Sequence, residues 1–314
     1  MSNILKDVTS PETTGIQEGQ NWVRNPGIPL DLSFVKAVQI NKSAVERRIA
    51  SLPGRRAVKK DAQAAWLINA ITCMDLTTLN GDDTEGRVRR LCAKARQPVR
   101  PDILERLGMG EYRLTSGAVC VYHRFVACAV EALTGSGIPV AAVSTGFPAG
   151  LSPHALKVKE IEASVADGAA EIDIVITREH VLTGNWEALY NEVRDYRAAC
   201  GRAHIKAILA TGDIRTLRNV AKASLVCMMA GVDFIKTSTG KEAVNATLPV
   251  TLIMLRMIRS FEQATGFKVG YKPAGGVSKA KDALTYQVLI KEELGRDWLR
   301  PDLFRFGASS LLGD

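Results

Sequence analysis

Two lysines close two short runs of β character. Val232 to Ile235 delivers Lys236, followed by Thr237-Ser238-Thr239-Gly240-Lys241. Further on, Lys268 to Tyr271 leads into Lys272 and then Pro273-Ala274-Gly275-Gly276. An unpaired ammonium is costly to bury, so lysine is a poor residue for ending a buried strand. It becomes a good one when the amine must be neutral and nucleophilic, as in imine formation with a carbonyl. Two such groups side by side disfavour each other's charge, so one can lower the pKa of its neighbour.

Elements able to bring these residues together recur along the chain. Strand candidates are Ala70 to Leu76, Ala118 to Tyr122, Val140 to Ser144, Glu171 to Ile176, Ile205 to Leu209, Asp233 to Thr237, Lys268 to Lys272 and Leu303 to Phe306. Helical periodicity fills the intervals: Thr84 to Ala95, Arg124 to Thr134, Pro153 to Ala166, Trp186 to Cys200, Ile214 to Ala230, Asn245 to Thr265 and Ser278 to Glu293. Gly135, Gly168, Gly201, Gly231, Gly266 and Gly295 follow six of these helices, where a residue with positive φ is commonly needed. Eight strands alternating with helices predict an α/β protein with a (β/α)8 TIM barrel over residues 61–314. A doubly wound sheet is the lesser alternative, because no Gly-x-Gly-x-x-Gly follows the first strand. Residues 1–60 form an N-terminal extension with a disordered start and one helix from Ser33 to Ser51.

A barrel carries its site at the carboxyl ends of the strands. There stand Asp75 and Thr77 on strand one, Cys120 on strand two, Lys206 on strand five, Lys236 on six and Lys272 on seven. Glu171 and Asp173 are two apart on strand four and therefore share a face. Asp75 could instead cap its own turn through Thr77 and Thr78. Cys120 can be simple packing, and Lys206 can simply balance the carboxylates. Asp173 in mid-strand requires a cationic partner. Gly275 and Gly276 after strand seven, with Ser309 and Ser310 after strand eight, occupy the loops where barrels bind phosphate. The Thr239-Gly240-Lys241 run is no P-loop, since the first glycine is absent and no hydroxyl follows Lys241.

The 314 residues are 46% hydrophobic, with no apolar run near the roughly 20 residues that span a bilayer. Six scattered cysteines without a Cys-x-x-Cys pair read as reduced, buried thiols of a cytoplasmic protein. Four histidines lack metal-ligand spacing, and no metal or other cofactor is expected. The net charge of +8 concentrates in Arg47 to Lys60 and Arg87 to Arg100. Neither cluster interleaves aromatic residues, so solvated helix faces are expected rather than a nucleic-acid surface. A positive field also favours an anionic substrate.

The runs MDLTTLNGDDT (Met74 to Thr84), EIDIVI (Glu171 to Ile176), FIKTSTGK with AVNAT (Phe234 to Thr247), KPAGG (Lys272 to Gly276) and FGASSLL (Phe306 to Leu312) resemble deoxyribose-phosphate aldolases, in order, from about Ala65 to Leu312. The extension and EALYNEV look more like the longer, animal-type members. The resemblance implies a metal-free class I aldolase that reversibly cleaves 2-deoxy-D-ribose 5-phosphate to D-glyceraldehyde 3-phosphate and acetaldehyde. It makes Lys236 the imine-forming residue, Lys272 the cation that keeps it deprotonated, and Asp173 with a water the proton carrier. Lys241, Gly240, Gly275, Gly276, Ser309 and Ser310 would hold the phosphate. Asp75, Thr77, Cys120, Thr239 and Lys206 would face the rest of the substrate. The bond expected to break is C3–C4, with a proton leaving the C4 hydroxyl.

Two departures stand out. The sequence ends Leu312-Gly313-Asp314 where such members often carry a tail with a terminal tyrosine, so slower enamine protonation is expected. Tyr122-His123-Arg124 stands in place of a Tyr-Pro, which should alter the strand-two loop. Barrels of this kind commonly pair, so a homodimer is expected. The alternatives are another imine-forming barrel lyase or transaldolase-like enzyme on a related sugar phosphate, and a non-catalytic basic binding protein.

Overall fold

The computed structural model describes residues 24–55 and 57–313. Eight parallel strands form the centre: β1 (Met74–Thr77), β2 (Ala118–Tyr122), β3 (Val140–Ser144), β4 (Glu171–Val175), β5 (His204–Ile208), β6 (Phe234–Lys236), β7 (Gly270–Lys272) and β8 (Phe306–Ala308). Their order is β7-β6-β5-β4-β3-β2-β1-β8. Isolated bridges Tyr271↔Phe304 and Ala274↔Gly307 join β7 to the β8 segment and close the barrel.

The strands alternate as a closed parallel sheet requires. In β4, Ile172 and Ile174 belong to the main apolar core, and Ile205 and Ala207 do the same in β5. The intervening Glu171, Asp173 and Lys206 are buried on the inner face, where they pair with one another. Inside the barrel, Cys120, Ala141 and Val143 form a separate small cluster with Leu79. Apolar packing therefore sits between sheet and helices, and charge sits inside.

The helices are α1 (Leu32–Lys36), α2 (Lys42–Ala50), α3 (Leu52–Arg55), α4 (Lys60–Thr72), α5 (Glu85–Arg96), α6 (Pro101–Arg106), α7 (Val126–Leu133), α8 (His154–Ala166), α9 (Arg178–Thr183), α10 (Trp186–Ala199), α11 (Leu217–Met229), α12 (Leu248–Thr265) and α13 (Ala280–Leu294). Thr84, Asn185, Thr216 and Thr247 cap four of them through side-chain oxygens. All six glycines expected after helices have positive φ.

Most element ends shift by a few residues from the sequence reading, and three differences have a clear physical reason. Ala70 to Thr72 belong to α4, so the first strand starts at Met74. A short apolar run fits either element, and here the helix wins by continuing back to Lys60. The last strand is Phe306–Ala308 rather than Leu303 to Phe306, because Leu303 and Phe304 close a turn on the Arg300 carbonyl. The single helix from Ser33 to Ser51 is two helices, α1 and α2, each restarted by its own cap, Asp31 and Asn41.

The expected disordered start lies outside the described residues. The rest of the extension packs on the barrel: Val35 and Val45 join the main core. Asn25, fully buried, donates its side-chain amide to the Met228 and Val232 carbonyls at 2.7 and 2.9 Å, and its backbone N–H to Asp233 Oδ1 at 3.1 Å. These bonds seal the amino end of β6. Asn25→Ala should lower unfolding free energy by about 1–3 kcal/mol, since buried carbonyls lose their donors. Urea denaturation reads this directly.

Several basic residues on the outer helices are paired. On α5, Arg87 meets Asp82 and Asp83, and Arg89 meets Glu131; on α2, Arg48 meets Glu292 and Glu293. No helix among the described residues is long and apolar enough to cross a membrane.

Candidate active site

Lys236 and Lys272 close neighbouring strands and are paired directly in the β6–β7 register. Both point inward. Asp173 Oδ2 receives both amines, each at 2.8 Å. The lysine pair therefore shares one carboxylate oxygen. Asp173 Oδ1 lies 3.1 Å from Lys206 Nζ, and Lys206 also bonds Glu171. Asp75 Oδ2 is 2.5 Å from Lys272 Nζ. The turn-capping alternative for Asp75 is thereby corrected: its side chain is fully buried in the ion network, and only its carbonyl takes the Thr77 hydroxyl.

The network sorts its members electrostatically. Burial disfavours the charge on Lys236, and Lys272 adds to that. Together they outweigh the attraction of Asp173 and hold the Lys236 ammonium below the ordinary lysine range. Burial also opposes the charge on Lys272, but Asp173 and Asp75 overcome it and raise its pKa. Asp173 is held well below the usual carboxylate range, against burial, by Lys206, Lys236 and Lys272. Asp75 is lowered against burial by Lys272, Arg305 and Lys206. Of two lysines on one oxygen, Lys272 keeps its proton and Lys236 is the easier to strip. Burial raises the pKa of the Cys120 thiol, which stays neutral beside the cluster.

The expected phosphate residues fall on three adjoining loops. Gly275 and Gly276, at φ +73° and +79°, follow β7. Asn245 of the β6–α12 loop packs on Gly275 so closely that a Cβ there would lie 2.6 Å from its side chain. Gly307 N donates to the Pro273 carbonyl at 2.9 Å, bringing the loop with exposed Ser309 and Ser310 alongside. Gly240 and Lys241 are exposed on the β6–α12 loop. Thr239 is held by a neighbour on its own loop. Its N–H and hydroxyl are both taken by Glu242, the hydroxyl at 2.7 Å. Thr77 likewise turns its hydroxyl back to a backbone carbonyl rather than into the ion network.

Glu242 was not singled out from sequence, although a Thr-x-x-Glu spacing is a recognisable loop-closing signal. Nor was Arg178, which reaches Glu242 at 3.3 Å, Asp213 at 2.9 Å and the Ala149 carbonyl at 2.6 Å. It links the loops after β3, β4, β5 and β6. His123 opens a short turn after β2, and its Nδ1 lies 3.4 Å from Glu160.

The most consequential omission is Arg305. Fully buried, it meets Asp75 Oδ1 at 2.6 Å and Glu171 Oε1 at 2.8 Å. An arginine between Phe304 and Phe306 in an apolar run was the available signal.

A closed parallel barrel whose strand ends present a depressed lysine against a protonated one is built for amine–carbonyl chemistry. Residues 69–311 match the family described as DeoC/LacD family aldolase. Among curated proteins, the chain is 59% identical over 290 residues to deoxyribose-phosphate aldolase of Mus musculus, covering 92% of this chain and 91% of that protein. It is 56% identical to the Homo sapiens enzyme of the same name over 292 residues, 92% of each. In fold it is similar to a tetrameric deoxyribose phosphate aldolase from Aeropyrum pernix, with a TM-score of 0.57 and 21% identity over 85% of this chain and 94% of that one. The chain belongs to the DeoC/LacD aldolase family.

Proposed function

We propose that this chain is a class I aldolase that reversibly cleaves 2-deoxy-D-ribose 5-phosphate to D-glyceraldehyde 3-phosphate and acetaldehyde. The observation carrying this reading is the sharing of Asp173 Oδ2 by Lys236 and Lys272 inside the barrel. Relatives of that name at 56–59% identity support the substrate assignment.

Neutral Lys236 adds to C1 of the open-chain sugar, and loss of water leaves an iminium. The iminium withdraws electrons from the adjacent bond. Acetaldehyde retains C1 and C2, so the bond that breaks is C2–C3 and the proton leaves the C3 hydroxyl. This carbon count corrects the expected C3–C4 cleavage and C4 hydroxyl. The electrons of C2–C3 remain on C2 as an enamine. Protonation at C2 and hydrolysis then release acetaldehyde and free Lys236. Asp173, in contact with Lys236, Lys272 and Lys206, is placed to pass protons through a water between C3 oxygen, C2 and nitrogen. Lys272 stays charged and supplies the field that keeps Lys236 stripped. Lys241, the Gly275 and Gly276 amides, Ser309 and Ser310 would receive the phosphate.

Six buried, unbridged cysteines among the described residues support a reducing, cytoplasmic setting. A homo-oligomer, taken as a dimer, is part of the same reading, and the tetrameric relative supports self-association in general. Light scattering of the purified protein reads the copy number.

The test is a panel of sugar phosphates with aldehyde release followed through a coupled reductase. Acetaldehyde should form from 2-deoxyribose 5-phosphate, and ribose 5-phosphate should be cleaved far more slowly. Equal cleavage of both, or none of the first, contradicts the assignment.

A further inference from the structure

The mechanism above uses the upper part of the buried network and leaves its floor unexplained. Glu171 opens β4 and Arg305 precedes β8, whereas Lys236 and Lys272 close their strands. Arg305 therefore lies deeper in the barrel than the lysines. Its guanidinium bridges two carboxylates: Nη1 to Asp75 Oδ1 at 2.6 Å and Nη2 to Glu171 Oε1 at 2.8 Å. The opposite oxygens of those carboxylates face the lysines. Asp75 Oδ2 meets Lys272, and Glu171 Oε2 meets Lys206. Both lysines then converge on Asp173.

Room for this side chain is reserved. A Cβ on Gly117 would stand 3.3 Å from Arg305 Cδ and 2.7 Å from the Thr72 carbonyl. The Arg305 Nε is fixed by the Pro301 carbonyl. A planar fork held at three points orients two carboxylates at once, which an ammonium cannot do.

We propose that Arg305 is a positioning residue for the aldol reaction, aligning Asp75 and Glu171 so that Lys272 and Lys206 are in turn held on Asp173. This rests on the reading of Lys236 as the nucleophile. Counting formal charges extends it. Asp75, Glu171 and Asp173 supply three negative charges, and Lys206, Lys272 and Arg305 supply three positive ones. The network is neutral only when Lys236, the fourth cation, is an amine. Cys120 on β2 faces the same cluster as an uncharged thiol, and Cys73 and His204 lie at the edge of the Arg305 and Lys206 fields. Removing the Arg305 charge leaves an unbalanced carboxylate, which favours the ammonium form of Lys236.

The experiment is the pH profile of kcat/KM for 2-deoxyribose 5-phosphate in Arg305→Gln, Arg305→Lys and Glu171→Gln, beside the wild type. The acid limb should move to higher pH in Arg305→Gln, by on the order of one unit, or roughly tenfold in rate below the limb. Glu171→Gln deletes a negative charge and should move the limb the opposite way. Arg305→Lys keeps the charge and loses the fork, so its limb should stay while kcat falls. A limb that stays put in both Gln variants overturns the proposal, as does wild-type kcat in Arg305→Lys. Should Arg305→Gln fail to fold, Glu171→Gln and Arg305→Lys decide alone. Borohydride trapping on wild-type Lys236 separates the two ideas: no adduct there sinks the nucleophile reading, whereas an adduct with unmoved limbs sinks only the role of Arg305.

Discussion

Lys236→Ala should lose turnover of 2-deoxyribose 5-phosphate by on the order of 10⁴-fold or more, while folding as well as the wild type. The loss follows from covalent catalysis. Without the amine at position 236, the iminium that takes up the electrons released from C2–C3 does not form there. Retained folding follows from the charge count. The substitution removes the one cation whose charge burial and Lys272 both disfavour. Asp173 keeps Lys206 and Lys272 as partners. A thermal midpoint equal to or above wild type, with activity gone, is the expected combination. A collapsed midpoint would instead mean that the Lys236 ammonium is a structural ion.

Lys272→Met should have the second largest effect and a different signature. It takes the nearer cation from Asp75 and one of three from Asp173. Without Lys272, Asp173 Oδ2 contacts Lys236 alone, and the ammonium form of Lys236 gains. Since kcat/KM reports the free enzyme and requires the neutral amine, its acid limb must move to higher pH. A neighbouring charge at this range shifts a pKa by about 1–3 units, or roughly 10- to 10³-fold in rate at fixed pH below the limb. Breaking a buried pair also costs about 3–5 kcal/mol of stability. Denaturant titration and the pH profile read the two consequences separately. Partial recovery of activity at raised pH is the distinguishing result, because loss of a mere packing contact would not be pH-dependent.

Much of this was legible in the chain because it is local. Lys236 and Lys272 advertise themselves as charged residues closing β runs, and two-residue periodicity places Asp173 on the inner face with Glu171. Gly275, Gly276, Ser309 and Ser310 lie in loops after consecutive strands, so barrel topology alone makes them neighbours. What escaped depends on closure of the whole ring. Arg305 and Asp75 are 230 positions apart and meet only because β8 returns to β1. Local pattern carries no trace of that partner. The turn alternative for Asp75 failed for the same reason. Helix α4 was missed because its apolar and alanine-rich stretch is not cleanly one-sided, and its end was read into the first strand. The partner of Thr239 also escaped: Glu242, three residues on, accepts from its N–H and its hydroxyl.

The mouth of the barrel ties these strands to function. Arg178, Glu242 and Asp213 hold loops from successive strands in one arrangement. The barrel interior fixes the charges, and these contacts brace the loops at its mouth.

The most direct measurement incubates the purified protein with 2-deoxyribose 5-phosphate, reduces it with borohydride and maps the peptides by mass spectrometry. The account predicts a secondary-amine adduct on Lys236, absent without substrate and absent in Lys236→Ala. An adduct on Lys272 in its place, or none on any lysine while the enzyme turns over, would contradict it.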